Sequence, residues 1–139
     1  MNIRRQIIRT ARGYVGTSFV HQGRTATGLD CIGLIVRVAW DMGLSDKDFL
    51  AYTRTPNARV FLENLPKYLT KKSFPYAPGD ILLLSLPLYP CHLAIYTDIG
   101  TVIHALSKRG SVVEHTLSDD WKARVRSAWE FPGVESWHS

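Results

Sequence analysis

The chain has 139 residues, 45% hydrophobic and 21% charged, which excludes a disordered or fibrous polymer and fits one globular domain spanning residues 1–139. Seventeen Lys and Arg against twelve Asp and Glu give a net charge of +5, compatible with nucleic acid, anionic lipid or an acidic polymer and selective for none of them. No uninterrupted apolar run, the Ile81–Leu84 stretch included, approaches a bilayer span, so no transmembrane segment is expected.

The basic start Met1-Asn2-Ile3-Arg4-Arg5 is not followed by the apolar core of a secretory signal, so synthesis in the cytoplasm without a cleaved leader is expected. Ile3, Ile7, Ile8, Ala11 and Tyr14 then recur at helical spacing, with Arg4, Arg5, Arg9 and Arg12 on the other faces, and Gly13 and Gly16 mark the end of that helix. Residues 17–30 read as loop around Gly23 and Gly28. A second helix follows, with Asp30 as N-cap and Gly43 as terminator. Leu34, Ile35, Val36, Val38, Ala39 and Met42 make it apolar almost all round, which places it in the centre of the domain. Pro56-Asn57 opens a third helix through Leu65, with Val60, Phe61 and Leu65 facing inward.

Ala77-Pro78-Gly79-Asp80 is a turn, and after it the period changes from helix to strand. Residues 81–86, 91–97, 101–105, 111–115 and 126–131 read as short strands, with a helical turn over 118–124. Helices first and a strand meander second predict an α+β fold with a mostly antiparallel sheet.

Two cysteines, Cys31 and Cys91, are too few for a disulfide framework. Cys31 falls directly after the N-cap of the central helix, where unpaired N–H groups and the helix dipole would stabilise a thiolate and lower the thiol pKa. The same position suits a small buried apolar cysteine. A nucleophile needs a base, drawn from His21, His92, His104, His115 and His138. Alternation along Cys91-His92-Leu93-Ala94-Ile95-Tyr96 turns His92 away from Cys91, Leu93 and Ile95, with the small Ala94 on its own face. A turn at Asp98-Ile99-Gly100 would bring His104 of the next strand onto the His92 face. No C-x-x-C or H-E-x-x-H pattern occurs, and neither a metal nor a cofactor is expected.

Asp30-Cys31-Ile32-Gly33-Leu34 resembles the D-C-S-G-L/F nucleophile motif of the NlpC-type cysteine peptidases. Four further segments follow in that family's order. They are Gly16-Thr17-Ser18-Phe19-Val20-His21-Gln22-Gly23, Pro78-Gly79-Asp80-Ile81-Leu82-Leu83, His92-Leu93-Ala94-Ile95-Tyr96 and Val102-Ile103-His104-Ala105. The resemblance implies a papain-like fold, Cys31 as nucleophile, His92 as general base and His104 as the group orienting it. It also implies peptide stems of bacterial peptidoglycan as substrate, cut between D-glutamate (or iso-glutamine) and a diamino acid.

Two positions depart from the family pattern. Phe19 stands where the family has a tyrosine, so a phenolic hydroxyl near the nucleophile is expected to be missing; Ile32 replaces a serine associated with binding the substrate's free amine. Asp30 is then left to serve that amine, and His21 either supplies a polar contact or is an ordinary surface-loop histidine. The upstream His21-Gln22, Ile32 and the ending Leu117-Ser118-Asp119-Asp120-Trp121-Lys122-Ala123-Arg124 resemble members encoded in phage and prophage tail clusters, which implies tail proteins as partners. Two other functions fit the same fold: a tail assembly or structural component with little catalysis, and an amidase or acyltransferase acting on another amide. Nucleic-acid binding ranks last, because no recognition motif is present.

Overall fold

The computed structural model describes residues 2–54 and 57–134; Pro56 and His138 lie outside the described residues. Helix α1 spans Ile3–Arg12, where Asn2 caps the start by accepting from the Arg5 amide, and Ile3, Ile7, Ile8 and Ala11 are buried as the spacing predicts. The segment read as plain loop contains a two-stranded hairpin, β1 at Arg24–Thr25 and β2 at Gly28–Leu29. Helix α2 spans Cys31–Asp41 and runs through the core on Ile32, Leu34, Ile35, Val38 and Ala39. Gly43 adopts the left-handed conformation (φ 67°) that ends it. Helix α3 spans Ala58–Asn64 and is capped by Asn57. Phe61 and Leu65 face inward, whereas Val60 is exposed, contrary to the sequence expectation. In a helix of seven residues the inward stripe is narrow, and Val60 falls beside it.

Six strands form one antiparallel sheet. They are β3 (Thr70–Lys72), β4 (Ile81–Leu84), β5 (His92–Tyr96), β6 (Thr101–Leu106), β7 (Ser111–Thr116) and β8 (Val125–Glu130), in the order β3-β8-β4-β5-β6-β7. Strand β3 has no sequence counterpart above. It is a short edge strand carrying Lys71 and Lys72, and such charged edges resist pairing with another chain. Alternation sorts the sheet's side chains into two layers. Ile81, Leu83, Leu93, Ile95, Ile103 and Ala105 pack with the helices, while Leu82, Leu84, Ala94, Val102 and Ala128 pack under Leu117 and Trp121. A four-residue helix, α4 (Asp119–Lys122), supplies Trp121.

The Pro78-Gly79-Asp80 turn has a structural task. Asp80 is fully buried and accepts from the Ala77 amide at 2.6 Å, from Arg4 Nη1 at 2.8 Å and from Lys72 Nζ at 2.8 Å. Arg4 also reaches Glu130. One buried carboxylate thereby ties α1, β3 and the start of β4 together. This holds α2, packed on α1, in place against the sheet.

Candidate active site

Cys31 opens α2 because Asp30 ends the extended backbone before it and caps the helix, accepting from the Gly33 amide at 2.7 Å. The cap carboxylate does more than close the helix. Its Oδ1 also accepts from Arg24 Nη1 at 3.1 Å, and its Oδ2 from the Gln22 amide at 2.7 Å and the Tyr52 hydroxyl at 2.6 Å. Four protein donors thus occupy both oxygens. Arg24 is held in turn by Asp48 (2.9 Å), the Phe49 carbonyl (2.9 Å) and the Tyr52 oxygen (2.8 Å). Gln22 sits at φ 60°, a left-handed conformation uncommon outside glycine. Its side chain donates to the Leu50 and Tyr52 carbonyls, pinning the segment that delivers Tyr52. At Gly33 a Cβ would fall inside contact distance of the Gly23 carbonyl oxygen, so only glycine lets this loop lie on the first turn of α2.

On the sheet side, His92 and His104 are buried and joined, His92 Nε2 to His104 Nδ1, at 2.6 Å. The pairing of β5 with β6, Ile95 opposite Ile103, puts the two imidazoles on one face as alternation predicts. The row continues beyond them. His104 Nε2 lies 2.8 Å from His115 Nε2, and His115 Nδ1 lies 2.9 Å from the Thr116 carbonyl. Trp121 packs against both rings, 5.3 Å from His104 and 4.7 Å from His115.

These two walls meet in one cleft, lined by Phe19, His21, Asp30, Cys31, Ile32, Tyr52 and His92 among others. Every site residue expected from the sequence except His104 borders it, and His104 stands directly behind His92. His21 meets the Tyr52 ring edge-on at 5.5 Å. Sequence reasoning missed Arg24, Tyr52 and the extension to His115. A phenol does stand near Cys31, contrary to the expectation drawn from Phe19, because Tyr52 brings one from a different segment. Cys91 is buried in the helix-side core and also borders the cleft.

The electrostatics also depart from expectation. Burial, helped by the Asp30 carboxylate, pushes the Cys31 thiol up to about 12. The Leu93 and Ile32 backbone amides and Arg24 only partly oppose this. The helix start favours a thiolate, but desolvation wins. Burial likewise pushes the His92 imidazole down to about 4, and His104 well below the ordinary imidazole range, where His92 and His115 add to the effect. Thiol and imidazoles are therefore neutral in the free protein near pH 7.

A family model described as the NlpC/P60 family matches residues 16–130. Among solved structures, the NlpC/p60 domain of the peptidoglycan hydrolase SagA is 27% identical, with a TM-score of 0.64, over 92% of this chain and 98% of that one. An NLP/P60-family protein from Staphylococcus aureus, described as similar to a lipoprotein, is 22% identical with a TM-score of 0.64, over 93% of this chain and 41% of that one. The peptidoglycan hydrolase RipB from Mycobacterium tuberculosis shares the fold, with a TM-score of 0.60 at 16% identity over 91% and 63% of the two chains. No curated protein sequence matches.

Proposed function

The chain belongs to the NlpC/P60 family, and from that footing we propose that it is a cysteine hydrolase of bacterial peptidoglycan, with Cys31 as nucleophile, His92 as general base and His104 orienting His92. One observation carries the reading. A cysteine at the head of a buried helix shares a cleft with an imidazole whose Nε2 is hydrogen-bonded to a second imidazole.

With thiol and imidazole both neutral at rest, the proton leaves sulfur as the bond to carbon forms. His92 takes the Cys31 proton while the sulfur attacks the stem carbonyl, and the Cys31 N–H, unpaired within the helix, faces the developing oxyanion. His92 then gives the proton to the departing amine, leaving a thioester. Water attacks the thioester with His92 again as base, and thiol and carboxylic acid are released.

The finer reading, cleavage between D-glutamate and a diamino acid by a protein of a phage or prophage tail, draws its support from the motif resemblance and the Leu117–Arg124 ending. A second reading, action on a different amide, is favoured by the saturated Asp30: with four donors in place, it has no lone pair for a substrate ammonium.

Purified sacculi provide the test. Wild-type protein and Cys91→Ala should release muropeptides, and Cys31→Ala should not; equal release by Cys31→Ala ends the nucleophile assignment. Mass spectrometry of products from free-amine and N-acylated stems separates the two substrate readings.

A further inference from the structure

The three-histidine row has a direction. The Thr116 carbonyl can only accept, so His115 Nδ1, 2.9 Å away, carries a hydrogen. A neutral His115 therefore presents a bare Nε2, which must receive the hydrogen of His104 Nε2 across 2.8 Å. His104 Nδ1 is then bare, and His92 Nε2 must donate to it across 2.6 Å. What remains is His92 Nδ1, the ring nitrogen not committed to His104, carrying a lone pair. Each step follows from the one before, and the chain starts at a backbone oxygen in β7. The opposite order, His104 Nδ1 donating to His92 Nε2, would leave a hydrogen on His92 Nδ1 and no lone pair to accept one.

We propose that His115 is a positioning residue that fixes the tautomers of His104 and His92 and so leaves His92 Nδ1 free to accept the Cys31 proton. This rests on the Cys31–His92 reading above for its catalytic consequence, but the tautomer order stands on the hydrogen bonds of a row of neutral rings. His115 does not line the cleft; it acts through His104. Trp121, packed on both rings, holds their planes in the alignment the row needs.

Nitrogen-15 NMR of the full chain labelled at histidine reads the order directly at pH 8, because the protonated and bare ring nitrogens of neutral imidazole have well-separated shifts. Wild type should show His92 and His104 protonated on Nε2 and His115 on Nδ1. A hydrogen on His92 Nδ1 or on neutral His115 Nε2 overturns the proposal without any variant being made. His115→Leu removes the acceptor. It should mix the tautomers of His92 and lower kcat about a hundredfold with KM unchanged, and His115→Gln, whose amide oxygen can accept, should restore both. An unchanged His92 signature in a folded His115→Leu protein rejects the role. The same spectra in Cys31→Ala keep the two questions apart: loss of the hydrolase reading leaves the tautomer order to be judged by itself.

Discussion

On the helix side of the cleft, Asp30 meets four donors and Arg24 binds two carboxylates, a phenol oxygen and two carbonyls. On the sheet side, the hydrogen bonds of three imidazoles run to one another and to a single backbone carbonyl. The first wall is charged and has every valence filled, so it is rigid and offers little to a ligand. The second is strung on hydrogen bonds that run from one imidazole to the next. Cys31 stands between them, and both its neighbours keep it protonated, Asp30 by repulsion and the buried surroundings by exclusion of water.

The difference can be broken most severely at Asp30. Asp30→Ala removes the helix cap and leaves Arg24, 10% exposed, short of a buried partner. The expected loss is about 3–5 kcal/mol, read by urea denaturation; a loss under about 1 kcal/mol would mean the wall is not held by charge. The sheet side should show itself through acid. His92 is held at about 4 when folded against an ordinary value of 6.5, so the unfolded chain binds the extra proton between those values. Stability is full above pH 6.5 and should fall by about 3 kcal/mol as pH drops to 4, with His104 acting in the same direction. His92→Asn should flatten that slope, and an equal slope in both proteins would place the acid sensitivity elsewhere.

The resting thiol offers a third probe. With its pKa near 12, Cys31 should react with iodoacetamide at pH 7.5 at least about tenfold more slowly than a small free thiol. Faster labelling than the free thiol would reveal a thiolate at rest. Tyr52→Phe is the gentlest perturbation. It removes one donor from Asp30 at a cost of about 1 kcal/mol and uncovers one lone pair. Turnover of free-amine stems should rise relative to N-acylated stems, and an unchanged ratio would show that Asp30 does not meet the substrate.

Much of the frame was legible because it obeys local rules. Asp30 before an apolar run announces a capped central helix, and the alternation of Leu93 and Ile95 against His92 and Ala94 is a property of any strand with one packed face. The third edge of the site was not. Tyr52 lies in a segment with no period, and its link to Asp30 crosses 22 residues of chain. Gln22 left a trace as part of the upstream His21-Gln22 pair, but its left-handed backbone has no sequence mark. Strand β3 is too short and too polar to alternate visibly. The thiol shift was misjudged because a helix start can be read from sequence, whereas the amount of water excluded around a sulfur depends on everything packed over it.

Gly33 sets how closely the upstream loop approaches α2. Where the loop at Gly23 rests on the opening turn of α2, only bare peptide separates them. A single methyl at residue 33 would wedge the loop outward, carrying the arginine and the glutamine that grip the cap with it. The spacing between Cys31 and the rim is therefore gauged by the thickness of a backbone, and a chemist wishing to widen the doorway would begin with that missing carbon rather than with any residue that lines it.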